Sequence, residues 1–166
     1  MSEIMTGISQ TIARVPGRFQ PYLTPVVEVK LLCSRLRPER QHEGDAGADL
    51  RSFADHEIYP GELKLVDTGV SIKIPLGYMG LVLPRSSMGK VRVSLANTAG
   101  IIDFGYMDSV KLLLVNEGEE PFIIQAMDTR IAQLIIVPVM LAKFTDFEDN
   151  WLDTDRGEGG FGSTGK

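Results

Sequence analysis

One cysteine, Cys33, and two histidines, His42 and His56, are the only thiol and imidazoles in this 166-residue chain. A lone cysteine excludes an internal disulfide framework, and the three residues together are too few for a zinc enzyme built from His and Cys. Long apolar runs are missing as well. The longest, Leu134-Ile135-Ile136-Val137-Pro138-Val139-Met140-Leu141-Ala142, falls far short of the roughly 20 residues that cross a bilayer, which excludes a membrane-spanning helix. Nor is there a basic excess. With 17 Lys and Arg against 22 Asp and Glu, the net charge is −5, and no global positive field draws the chain to nucleic acid. Any phosphate chemistry must rest on locally placed arginines and backbone amides.

What is present is turn-rich. Seventeen glycines and nine prolines accompany 43% hydrophobic and 23% charged residues, the composition of a soluble globule with a real core. The length fits one domain. Residues 1–25, with Pro16, Pro21 and Pro25 and no sustained apolar period, read as an N-terminal extension. Arg14 and Arg18 leave organelle targeting by this stretch open; otherwise the cytoplasm or another intracellular compartment is expected.

From Val26 onward β-signals dominate. Val26–Leu32, Leu63–Val66, Val70–Ile74, Tyr78–Leu83, Val110–Val115, Phe122–Ile124 and Ile131–Val139 are short, branched and partly alternating. Pro60-Gly61, Pro75-Leu76-Gly77 and Asn116-Glu117-Gly118 separate them as turns. Strands of this length and spacing predict an all-β sandwich or barrel over 26–144. Only Ser86–Arg92 has helical character, with Ser86 or Ser87 available as N-cap. Residues 145–166 hold six acids and two bases, then turn glycine-rich; a segment so poor in aliphatics has no core of its own and reads as a C-terminal arm.

That arm contains Gly157, Gly159 and Gly162 in G-x-G-x-x-G spacing, and Gly160–Lys166 resembles part of a P-loop. Neither dinucleotide nor P-loop binding follows, because both motifs need a helix after the glycines. The shared physics remains: glycines let amides converge on an anion, Ser163 and Thr164 add hydroxyls, and Arg156 adds a phosphate-matching fork. Phe161, isolated among glycines, is free to stack on a flat ring.

Four further segments carry candidate chemistry. Pro84-Arg85-Ser86-Ser87-Met88-Gly89 joins a strand end to a short helix and offers a phosphate cradle, or an ordinary cap with a solvated arginine. Asn97–Tyr106 predicts a hairpin about Ala99-Gly100, with Asp103 beside the core as a base for water or as a turn aspartate. Asp45-Ala46-Gly47-Ala48-Asp49-Leu50 sets two carboxylates four apart, compatible with a magnesium-water shell but as readily a close-packed turn with solvated acids. Thr129–Ile135 opens a strand with Arg130 and Gln133 at its mouth. Asp67 and Asp128 read as solvated turn residues.

Taken in order, Asp45–Phe53, Pro84–Gly89, Asn97–Ser109, Thr129–Ile136 and Arg156–Gly165 resemble the five motifs of the trimeric dUTPase family. The resemblance implies a jelly-roll-like subunit with one short helix, and a homotrimer whose sites lie between subunits under C-terminal arms. It implies hydrolysis of dUTP to dUMP and pyrophosphate with Mg2+ bridging the triphosphate. By the same resemblance Asp103 is the general base. Tyr106 packs beneath the deoxyribose, where a 2′-hydroxyl would clash. Asn97 and the backbone of Gly100, Ile101 and Ile102 read the uracil. Arg85, Ser86, Ser87 and Gln133 hold phosphates with Arg156, Gly162, Ser163 and Thr164, and Phe161 stacks on the base. Asp49 acts in the outer shell of the metal. Ser87 and Met107-Asp108-Ser109 depart from the family pattern, which usually has glycine at 87 and a basic or polar residue then glycine after Tyr106. The alternatives are a related dCTP deaminase and a nucleotide-dependent binding or regulatory protein on the same fold.

Overall fold

The computed structural model describes residues 25–146. The strands are β1 (Glu28–Leu31), β2 (Ala48–Arg51), β3 (His56–Ile58), β4 (Leu63–Lys73), β5 (Tyr78–Pro84), β6 (Val93–Leu95), β7 (Gly100–Ile102), β8 (Ser109–Asn116), β9 (Phe122–Ile124) and β10 (Arg130–Pro138). A 3-10 turn covers Ser34–Leu36, and one α-helix, α1, covers Ser86–Lys90. Every paired strand is antiparallel. One four-stranded sheet has the order β1-β4-β8-β6, a second β2-β10-β5-β7, and β3 and β9 form a separate ribbon.

Alternation builds the core. Along β8, Val110, Leu112 and Leu114 are buried while Lys111 and Leu113 are exposed, the period of two expected when one face of a sheet is covered. Val66, Val70 and Ile72 from β4 meet Val82, Ile131 and Leu134 from the other sheet in one apolar cluster. Such a side chain contributes about 1.5–3 kcal/mol by leaving water. Two four-stranded antiparallel sheets around that core form the expected jelly-roll-like sandwich.

Three local expectations are corrected. Leu63–Val66 and Val70–Ile74 are not two strands but parts of β4, which continues through a register irregularity between Asp67 and Ser71. Gly69, at φ +64°, permits it; a Cβ there would lie 2.8 Å from Leu36 Cδ1. The segment 97–106 is no hairpin, because β6 pairs with β8 in one sheet and β7 with β5 in the other. The chain crosses between layers, with Thr98 at φ 64° at the corner. Helix α1 starts one residue earlier than a serine cap would give: Arg85 is the N-cap, in extended conformation.

Asn116, fully buried at the end of β8, shows how the loops are held. Its amide donates to the Ile58 carbonyl at 2.8 Å and the Glu120 carbonyl at 2.9 Å, and its oxygen accepts from Gly118 N–H at 2.9 Å.

Candidate active site

Asp49 is the electrostatic centre of the described molecule. It lies in β2 and is 1% exposed. Its Oδ1 takes Arg85 Nε at 3.0 Å and Gln133 Nε2 at 3.5 Å. Its Oδ2 takes Gln41 Nε2 at 3.2 Å and Arg130 Nη1 at 3.3 Å. Two donors on each oxygen account for the burial, since an isolated buried carboxylate would be far too costly.

Each partner arrives for a local reason. Gln133 is the cross-strand partner of Asp49, so the two side chains share a face. Gly47 makes room for it: a Cβ on Gly47 would meet Gln133 Cβ at 3.0 Å and Cδ at 3.1 Å. Arg130 and Gln133 are three apart, which strict alternation would put on opposite faces. A register shift between Arg130 and Ala132 brings Arg130 onto the Asp49 side. Arg85 follows Pro84, which pairs with Ala132 beside Gln133. Ser86 and Ser87, at the start of α1, are exposed next to that guanidinium.

The solvated-turn reading of Asp49 therefore gives way to a buried strand residue on two arginines. The outer metal shell implied for it also meets a difficulty, because both its oxygens are occupied by protein donors. Among the described residues no group of three or more His, Cys, Asp or Glu could hold a metal ion. Gln41 and Arg130 are the members of this cluster not singled out as site residues from sequence. Gln41 carries no sequence signal, whereas Arg130 stands out in sequence only as a residue at the strand mouth beside Gln133.

The remaining candidates gather elsewhere. Strand β7 is the edge of its sheet, so one side of the Gly100–Ile102 backbone has no strand partner among the described residues. Ile101 is 61% exposed, and Asn97 Nδ2 donates to the Ala99 carbonyl at 2.9 Å. Asp103 is exposed rather than beside the core. Tyr106 N–H donates to the Asp103 carbonyl at 3.2 Å, and the phenol donates to the Ser109 carbonyl at 3.0 Å. Met107-Asp108-Ser109 needs no glycine: the only positive φ in 103–109 is at Gly105, +87°. Asp108 instead accepts from Ser109 N–H and pairs with Lys111. Donation by Lys111, then by Ser109 N–H, holds the Asp108 carboxyl below its ordinary range, and Asp108 raises the Lys111 ammonium.

The two groups of candidates are far apart in one subunit. Asp103 follows Ile102, which pairs with Gly80, five residues before Arg85. At ~3.3 Å per residue, roughly 17 Å of strand lies between the ends. Arg156, Phe161, Gly162, Ser163 and Thr164 lie outside the described residues, as does most of the 1–25 extension and the 145–166 arm.

A two-sheet antiparallel β-sandwich with a buried carboxylate between two arginines at the end of one sheet, and an edge strand in that same sheet, defines the class of jelly-roll-like proteins. The chain belongs to the dUTPase family, whose model matches residues 36–165. It is 44% identical over 133 residues to the deoxyuridine 5′-triphosphate nucleotidohydrolase of Mycolicibacterium gilvum, covering 77% of this chain and 86% of that one. With the protein of that name from Escherichia phage T5 it shares 40% over 147 residues, 84% and 99% of the two chains. Among solved structures it resembles a Staphylococcus bacteriophage 80alpha dUTPase with dUpNHpp, at TM-score 0.75 and 30% identity, over 86% of this chain and 100% of that one. It also resembles the phage phi11 dUTPase of S. aureus, a mutant described with a structural Mg(II) ion, at TM-score 0.68 and 25% identity, over 75% and 98%. No helix among the described residues is long and apolar enough to cross a membrane. The matches do not favour the deaminase or regulatory alternatives.

Proposed function

We propose that this chain hydrolyses dUTP to dUMP and pyrophosphate. The observation that carries the reading is the family match over 36–165, which spans every candidate from Asp49 to Thr164. Asp103 takes a proton from water as its oxygen bonds to the α-phosphorus. The bond from that phosphorus to the α,β-bridging oxygen breaks, and pyrophosphate leaves with the electron pair. Arg85, oriented by Asp49, meets phosphate oxygens with Ser86, Ser87 and Gln133; fixed donors of this kind stabilise charge without reorganising. Arg130 adds positive field through the same carboxylate. Tyr106 packs beneath the sugar, and the unpaired edge of Gly100–Ile102 with Asn97 reads the uracil. Phe161, Arg156, Gly162, Ser163 and Thr164 close the site from the arm.

Mg2+ would be held mainly by substrate phosphate oxygens, which requires no dedicated protein cage. When bound it neutralises triphosphate charge; Asp49 serves that centre by fixing Arg85.

The assembly is a homotrimer with sites shared between subunits, and three observations support it. The separation of Asp103 from Arg85 leaves one subunit without a complete site. Leu63 and Leu65 on β4 lie beside Leu113 on β8, and all three are exposed on an outer sheet face. Met140, Leu141 and Phe144, at 96%, 75% and 93% exposure, follow the last described strand and present apolar surface.

Following pyrophosphate release from dUTP, dTTP, dCTP and UTP with Mg2+ tests the proposal. Selective turnover of dUTP is expected; no dUTP turnover, or equal turnover of dTTP, overturns it.

A further inference from the structure

Tyr106 sits in an exposed loop yet is wired into the core. Its phenol donates to the Ser109 carbonyl at 3.0 Å. The Ser109 hydroxyl donates to Asp67 Oδ2 at 2.9 Å across the β4–β8 pair. Asp67 Oδ1 accepts from Gly69 N–H at 2.7 Å, inside the register irregularity of β4. One residue along, the fully buried Thr68 hydroxyl donates to the Val110 carbonyl at 2.8 Å, so β4 and β8 are locked where the chain of bonds begins. Asp67 is thus no solvated turn residue but a half-buried member of a strand.

We infer that Ser109 and Asp67 are positioning residues for Tyr106, and through it set the discrimination between deoxyribose and ribose. This rests on the reading that Tyr106 packs beneath the sugar. Excluding a 2′-hydroxyl requires a surface that does not retreat from it. Tyr106 is 37% exposed, and its neighbours Phe104 and Met107 are 60% and 76% exposed, so packing holds this loop weakly. A ring in that setting keeps one position only if its polar end is fixed, and the Ser109 carbonyl is fixed only as far as its residue is. Ser109 opens β8 opposite Ser71, at the edge of the register irregularity, and its hydroxyl bond to the charged Asp67 completes the hold on that end of the strand. Serine at 109 and aspartate at 67 are therefore a matched pair, and the Met107-Asp108-Ser109 departure carries its own tether instead of loosening the site.

The experiment is steady-state kinetics with dUTP and UTP on the wild type, Ser109→Ala, Ser109→Thr, Tyr106→Phe and the double variant Ser109→Ala/Tyr106→Phe, with unfolding midpoints alongside. Ser109→Ala should lower the ratio of kcat/KM for dUTP over UTP about tenfold, the size of one lost hydrogen bond to a charged group, mainly by raising kcat/KM for UTP as the surface beneath the sugar yields to the 2′-hydroxyl. Ser109→Thr keeps the hydroxyl and should restore the ratio. Tyr106→Phe cuts the tether at its other end, so the double variant should lose less than the product of the single effects. If Ser109→Ala fails to fold, Tyr106→Phe carries the test. An unchanged ratio, or equal loss on both substrates, overturns the tether while leaving the dUTP reading standing. A wild type that does not prefer dUTP to UTP overturns both.

Discussion

Arg85 is aimed by a carboxylate that solvent does not reach: its Nε lies 3.0 Å from Oδ1 of Asp49, a side chain 2% exposed, while its own side chain is 19% exposed. In the proposed site the pair divides the labour of a phosphate grip. Asp49 is spent inside the protein, and the remaining guanidinium donors stay open to an anion. Arginine suits this role because its planar fork serves a carboxylate on one edge and leaves N–H groups on the other.

Asp49→Ala should therefore damage both stability and binding. It leaves Arg85 and Arg130 without their shared acceptor, and breaking a buried ion pair on one side costs about 3 kcal/mol or more. Denaturant unfolding should show that loss together with a raised KM for dUTP. A stable variant with normal KM would contradict the assignment.

The proposed sharing of sites between subunits predicts complementation. Asp103→Asn alone should be inactive but bind nucleotide, and Arg85→Lys, which keeps a cation on Asp49 without the fork, should be weak. Co-expressed with separate tags and purified as mixed trimers, the two should exceed either parent, because some sites draw Asp103 and Arg85 from undamaged subunits. Activity no greater than the average of the parents would place both residues in one subunit.

The Asp108–Lys111 pair sets a pH window for the loop after Tyr106. The Asp108 carboxyl is lowered, so its contribution is complete above the ordinary aspartate value, about 3.9, and is lost as pH falls through the lower folded value. The Lys111 ammonium is raised, so its contribution is complete below about 10.4 and is lost as pH rises through the higher folded value. A carbon-detected NMR titration should find Asp108 ionising below the ordinary range. Ionisation at or above 3.9 would show that the pair does not form in solution.

Gly69→Ala should destabilise by about 2 kcal/mol or more, since the residue holds φ +64° and a Cβ would meet Leu36 Cδ1 at 2.8 Å. Thermal unfolding checks this, and an unchanged midpoint would mean that β4 can re-route.

Much of the fold was legible in the sequence. The alternating strands β5, β8 and β10, and the two halves of β4, declare themselves because half of each faces a core. Strand β2 does not. Ala48-Asp49-Leu50-Arg51 carries two charges in four residues and resembles a turn until Arg85, Arg130 and Gln133 arrive from other parts of the chain. β3 and β6 are three residues each, too short for any period to emerge. The supposed hairpin at 97–106 failed for a related reason: local turn chemistry says where the chain bends, not which sheet it joins next. Motif order groups Arg85 with Gln133, and both reach Asp49 Oδ1. It gave no warning that Asp67 and Ser109 are bonded, because their contact spans 42 residues.

The most direct test of the central claim is pyrophosphate release by the full chain from dUTP against dTTP, dCTP and UTP in the presence of Mg2+. Turnover of dUTP well above the other three is the predicted result. Absence of dUTP turnover, or dTTP hydrolysed as fast as dUTP, would contradict it.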